Sequence, residues 1–545
     1  MSAATNSSDT ISDLKNKRWN KLIVAGCIVI VAWYLHRFVV NKGNYSDPVV
    51  QIKNGWIRGR VGISRGGKPF YEFLGIPFAQ PPVGPLRFQS PKPIDDWKGV
   101  LSTRRFRPKL KWGRSGESDS GAVIAFIHGG YYVSGHTSLY GPKYLLDEDI
   151  VLVTISYRLG ALGFLNLGIK DARGPRLKDQ RFYLALKWIQ DTSCPLWRCK
   201  FGNDHGAKCW CVLDSGSSVH FHMLAKASKG LFHKAISNSG TIQSPWAWLG
   251  KKSGIEQALR LSKQLDCPVN NSSAALDCLL KKDVNKIVEV HSESLNFLHD
   301  PLSVFKPTVE EIDDDDAFLT QDPFELMKSG NIVFRVVPVA LVSTLRRFGC
   351  TPSVLVRDNS MLQSFLADWR EIFATLLLYC QPMTKRCQEK FARYYFGQPM
   401  ANFLQHNRML ANFLPTMFCR TRVFLITKAA YTNHSVEKSS PVYLFYYAQP
   451  IPLSFGDVLW AQYGILPAFV EIGIYLGYAW PEYDADDGWN KLSKEMVKSW
   501  VEFAKTGEPA QIFGAKWNHA FSKETQKHSM PSPERKGIPV PQYLR

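Results

Sequence analysis

The residue types and spacing that could do chemistry lie in one short stretch, Cys211-Val-Leu-Asp-Ser215-Gly-Ser-Ser-Val-His220. An acid, a serine and a glycine ahead of an amphipathic run suit a strand-to-helix turn that lifts one hydroxyl out of a sheet. Read alone, the same residues are also an ordinary polar turn. Ser215 acts as a nucleophile only with a histidine base beside it, an acid orienting that base, and N–H donors for the oxyanion. Such donors are at hand in Gly129 and Gly130, which follow an apolar run ending at Ile127, and in Gly216, directly after the serine.

Other clusters carry less. Cys194, Cys199, Cys209 and Cys211, with His205 nearby, lack the paired short hooks of structural zinc sites, and neither a metal nor a cofactor is expected. The acids Glu310, Glu311 and Asp313 to Asp316 lack the alternating ligands and turn glycine of a calcium loop, and read as a solvated loop. The stretch Arg104-Arg-Phe-Arg-Pro108-Lys-Leu-Lys-Trp-Gly-Arg114 interleaves cations with aromatics. It reads as an exposed loop before it reads as a polyanion contact. A net charge of +20 favours anionic surfaces, but no nucleic-acid module accompanies it, so no nucleic-acid partner is expected.

The elements that must position the serine are legible as patterns. Val123 to Ile127 and Ile150 to Tyr157 are continuous and β-branched, as strands buried on both faces are. Phe182, Ala185, Leu186 and Ile189 fall at helical spacing within Leu177 to Ile189. Lys234 to Ser237 and Val442 to Ala448 read as further strands. Leu492, Met496, Trp500 and Phe503 make a C-terminal helical stripe that Gly507 and Pro509 end. Strand, helix, strand alternation predicts a largely parallel sheet covered by helices.

Ahead of this, Leu22 to Leu35 is unbroken and apolar, with Lys15, Lys17, Arg18 and Lys21 before it. Counted through Val40, it reaches the ~20 residues that span a bilayer. No small-x-small cleavage site follows. The expectation is a signal anchor, residues 22–40, after a cytosolic tail, 1–21, and before a linker, 41–47. The remainder, 48–545, is then luminal or extracellular in a single-pass type II protein; the alternative is secretion after cleavage of a signal peptide.

Several motifs occur in order: Phe73 to Phe88, His128-Gly-Gly130, Ser156-Tyr-Arg-Leu-Gly160, Leu177-Lys-Asp-Gln180, Gly230-Leu-Phe-His-Lys-Ala-Ile-Ser-Asn-Ser-Gly240 and Phe503-Ala-Lys-Thr-Gly507. Together they resemble the type-B carboxylesterases, or cholinesterase-like proteins, over roughly residues 48 to 515. The resemblance implies an α/β-hydrolase fold and hydrolysis of a small carboxylic ester through an acyl-serine, without a cofactor. It also implies a disulfide between Cys267 and Cys278. Asn44, Asn270, Asn271 and Asn433 head glycan acceptor patterns that apply if the domain is luminal.

The departures from the family fall at the chemistry. Leu213-Asp-Ser215-Gly-Ser217 has lost both flanking glycines of the family elbow, and Tyr131 stands where the family has a small residue. The triad acid belongs after Val337-Pro338, yet Val339 to Ser353 holds no carboxylate. The histidine belongs after Val442 to Ala448, yet Ser435 to Asn518 holds none. Two functions remain: a membrane-anchored serine esterase, and a non-catalytic cholinesterase-like surface protein that binds a protein partner. A shifted exon boundary would leave the same altered segments, at 100–122, 191–217, 332–356 and 450–480. Comparing transcript and chain decides that point.

Overall fold

All six residues of Ala122–Ile127 are buried, as an apolar run demands of a strand covered on both sides. The computed structural model describes residues 46–105, 110–115, 122–169, 172–173, 181–196, 210–238, 240–244, 247–293, 304–310, 318–329, 339–344, 440–447 and 488–517. The chain divides into two units, Met1–Pro48 and Val49–Arg545, and the sheet with its helices belongs to the second. The expected anchor, residues 22–40, lies outside the described residues. Among those described, no helix is long and apolar enough to cross a membrane.

The strands are β1 (Val49–Ile52), β2 (Gly55–Arg58), β3 (Arg60–Ile63), β4 (Pro69–Ile76), β5 (Val100–Ser102), β6 (Leu110–Ser115), β7 (Ala122–Ile127) and β8 (Val151–Ile155). They continue as β9 (Asn166–Ile169), β10 (Ala172–Arg173), β11 (Trp210–Ser215), β12 (Lys234–Asn238), β13 (Val339–Thr344) and β14 (Val442–Tyr447). Nine of them form one sheet in the order β14-β13-β12-β11-β7-β8-β6-β4-β3. From β14 to β8 every pairing is parallel; from β8 to β3 every pairing is antiparallel.

Two helical layers cover the sheet, and β7 shows why. Its side chains alternate between faces. Val123, Ala125 and Ile127 share a core with Ala185, Leu186 and Ile189 of α2 (Arg181–Leu196) and with Val219 and Phe221 of α3 (Ser217–Leu224); a one-turn α1 (Gly160–Phe164) precedes these. Ala122, Ile124 and Phe126 pack against Met496, Val497, Trp500 and Phe503. Those four belong to the final helix, Gly488–Thr506. That helix ends on Gly507, at φ 92°, whose N–H bonds Phe503 O at 2.8 Å. Lys234 Nζ, from the start of β12, donates to Ala504 O at 3.0 Å and to Lys505 O at 3.3 Å. A cation thus meets the negative end of the helix dipole.

One expectation is corrected here. Part of the stretch Arg104 to Arg114, read as an exposed loop, is β6, paired antiparallel with both β4 and β8. Those two strands each present an edge, and a segment between them satisfies backbone groups on both sides. That backbone gain outweighs the polarity of the side chains.

Candidate active site

The glycine loop comes off the end of β7. Gly130 sits at φ 124°, and a Cβ there would overlap Ser134 O. Only glycine fits, because Val133 N and Ser134 N both turn back to Gly130 O, at 2.9 and 3.0 Å. Tyr131 (φ 56°) and Tyr132 (φ 66°) follow in the left-handed region, a conformation that costs bulky residues ~1–3 kcal/mol each. The surroundings hold them there: Gly160 N donates to Tyr132 O at 2.7 Å, and Tyr157 Oη to His128 O at 2.8 Å. His128 is buried and stacked on Tyr157. Burial pushes it down to about 4, against the raising effect of its Nδ1 bond to Gly129 O at 2.9 Å. It is neutral at pH 7, and props the loop.

The elbow comes off β11. Asp214 is in register with Phe126 of β7, and Ser215 with Ser237 of β12. The turn therefore opens beside the glycine loop. Its apex is Gly216, at φ −81° and ψ −117°, a ψ outside both broad basins of L-residues. A Cβ there would lie 2.8 Å from Asn238 O. Ser237 Oγ lies 2.5 Å from Gly240 O and 3.2 Å from Gly216 O, so its one hydrogen is placed between the two carbonyls below the turn. A serine thus stands on each side of a glycine apex. Ser215 ends the strand, and its hydroxyl is not among the described groups. Ser217 opens α3 and is buried.

The hydroxyl of Ser217 lies 2.5 Å from Tyr132 Oη, and Ser218 Oγ donates to the same Tyr132 oxygen at 3.3 Å. Burial pushes the Tyr132 phenol up to about 12, against the lowering effect of the two serines. It therefore keeps its proton at neutral pH. The Tyr132 and Ser217 hydroxyls share one hydrogen bond, in which either oxygen can be the donor. A phenol that keeps its proton does not act as a base for Ser217. Neither Ser217 nor Tyr132 stood out in the sequence; Tyr-Tyr after a glycine pair was the one available signal.

Two histidines on α3 are occupied elsewhere. His220 Nδ1 accepts from Ile242 N at 3.4 Å. His222 Nδ1 lies 2.8 Å from Ser228 Oγ, and burial pushes that ring down to about 3. The parallel order puts the chain leaving β13 and β14 at the same end of the sheet as glycine loop and elbow, the usual ligand side of such sheets. Residues 345 to 439 and 448 to 487 lie outside the described residues. Val339 to Ser353 and Ser435 to Asn518 contain no carboxylate and no histidine respectively.

Comparison with known proteins decides the lineage. The carboxylesterase family matches residues 46–111 and 111–537. The chain belongs to the carboxylesterase family. Among this chain's relatives, a carboxylic ester hydrolase of Bombus ignitus is 31% identical over 74% of this chain and 75% of its own length. Esterase FE4 of Myzus persicae is 29% identical over 85% of each chain. The juvenile hormone esterase of Tribolium castaneum is 27% identical over 87% of this chain and 86% of its own. The crystal structure of juvenile hormone esterase from Manduca sexta superposes with a TM-score of 0.69 at 20% identity, over 86% of this chain and 91% of that one. The fold is that of the α/β-hydrolases.

Away from the elbow, Cys267 and Cys278 are bridged, with Cα atoms 5.7 Å apart. Asn270 and Asn271 are exposed inside that loop. Asn271 also caps α5 (Ser272–Lys281), accepting from Ala274 N at 3.0 Å; α4 (Lys251–Gln264) precedes it. Asn44 and Asn433 lie outside the described residues, as do the side chains of Cys194, Cys199, His205, Cys209 and Cys211.

Proposed function

We propose that this carboxylesterase-family chain is held in a membrane by residues 22–40, and that its elbow accepts a small carboxylic ester but turns it over far more slowly than a complete triad does. The observation that carries this reading is the bond between Ser217, beside a glycine apex, and the protonated phenol of Tyr132. The described partner of the elbow hydroxyl is a phenol that keeps its own proton, not a base. The glycine loop still supports ester binding. N–H groups of Gly129, Gly130 and Gly216 are the candidates to meet a carbonyl oxygen, a contribution that survives loss of the triad. Attack by Ser215 would require its proton to leave, and the stretches where the family keeps acid and base supply neither. Loss of a triad member costs ~10⁴- to 10⁶-fold in rate.

The bridge between Cys267 and Cys278 supports a luminal or extracellular domain, since such bonds persist in oxidising compartments. It serves a secreted form equally. The relatives are named esterases, two of the proteins compared for juvenile hormone, which supports a small-molecule ester as ligand. A second reading, a surface protein that binds a protein partner without catalysis, draws on the missing histidine.

A fluorophosphonate probe tests the first reading. The expected outcome is labelling at least ~10³-fold slower than a complete triad gives, unchanged by Ser215→Ala. Rapid labelling lost in Ser215→Ala would restore the full esterase. Rapid labelling lost only in Ser217→Ala would move the nucleophile across the apex. Slow labelling together with no saturable binding of p-nitrophenyl esters would favour the surface protein.

A further inference from the structure

The sheet β1-β2-β5 has one covered face and one bare face. Ile52 and Ile57 are buried in the main core, with Val50, Leu101 and Trp97 packed against it. By the alternation of a strand, the residues between them point the other way. Register sets them in two rows: Gln51, Trp56 and Val100 in one, Val49, Arg58 and Ser102 in the next. The bare face is thus small and nearly uncharged. Val49, Trp56 and Val100 remain 41%, 44% and 49% exposed, and Arg58 is its one cation. Lys98, Arg104 and Arg105 stand exposed at the ends of β5. Lys53 is already paired with Asp191 at 3.0 Å.

An indole flanked by aliphatic groups and an arginine matches the interfacial zone of a bilayer, where the ring sits at headgroup level and the guanidinium reaches phosphate. Chain length points to the same occupant. Val49 follows the apolar segment 22–40 after only the residues 41–48, which span at most about 28 Å when extended. We propose that the outer face of β1-β2-β5 rests on the phospholipid surface, with Trp56 at the interface and Arg58 on a lipid phosphate. This rests on the anchor reading above. It adds that the domain docks on the bilayer instead of swinging free on its linker.

The test uses the full chain in phosphatidylcholine vesicles. Flotation after an alkaline wash examines the anchor by itself: a chain that stays behind overturns the anchor reading. For a chain that floats, a benzoylphenylalanine placed at Trp56 is photoactivated and its adducts are weighed. Docking predicts a phospholipid adduct at least about fivefold above that of the same probe at Tyr71, the yield falling about fivefold with Arg58→Glu, while flotation is unchanged. Yields equal at the two positions would overturn docking and leave the anchor standing. An adduct with a second copy of the chain would overturn it too, making this face a dimer contact. A lipid adduct insensitive to Arg58→Glu would remove the phosphate contact.

Discussion

Between β7 and β11, loop and elbow hold one another through backbone and hydroxyl bonds. Ser237 lies below Gly216, Gly160 fixes Tyr132, and Tyr132 fixes Ser217. Between β13 and β14 the strands pair in full parallel register, while Val339 to Ser353 holds no carboxylate and Ser435 to Asn518 no histidine. The pairing of the sheet and the identity of the side chains beyond it are separate matters. A sheet is held by apolar burial and backbone pairing, which many side chains satisfy. A triad depends on three particular side chains, and substituting them leaves the sheet standing.

The sharpest way to break this comparison is Gly130→Ala. Its Cβ would fall on Ser134 O, so a loss above about 4 kcal/mol in denaturant unfolding is expected. A loss under about 1 kcal/mol would show that the loop is not tightly specified. Acid comes next. His128 and His222 are neutral in the fold, pushed down to about 4 and about 3, whereas the unfolded chain takes up protons near 6.5. Stability is full above about pH 6.5 and falls as pH drops from there toward 4, by roughly 3 kcal/mol for His128. Thermal unfolding against pH checks it, and His222→Phe should about halve the slope between pH 6.5 and 4 and remove what remains between 4 and 3.

Smaller effects sharpen the same contrast. Gly216→Ser puts a Cβ 2.8 Å from Asn238 O at an unfavourable ψ. About 2 kcal/mol of destabilisation is expected. Tyr132→Phe strips the described partner from buried Ser217 and should cost about 1–2 kcal/mol. Asn271→Ala, remote from the site, removes a helix cap worth about 1 kcal/mol. Were it to cost more than Gly216→Ser, the elbow would be the looser of the two regions.

Much of the fold was legible because burial on two faces leaves unbroken apolar runs, as in β7 and β8, and helical periods, as in the final helix. β6 was not legible. Its charges and its proline neighbour suggest a loop, and only the two flanking edges make it a strand. At the site, glycine pair and serine were legible as types. The pairing of Tyr132 with Ser217 was not, since 85 residues separate them.

The sequence by itself determined the family, the glycine loop, and the lack of a carboxylate in Val339 to Ser353 and of a histidine in Ser435 to Asn518; these depend on residue identity and order. The tertiary structure decided that the elbow apex is Gly216 and that Tyr132 is hydrogen-bonded to Ser217. Both depend on where a turn meets Asn238 and on how β7 and β11 align, and a distance across two strands is written in no local pattern.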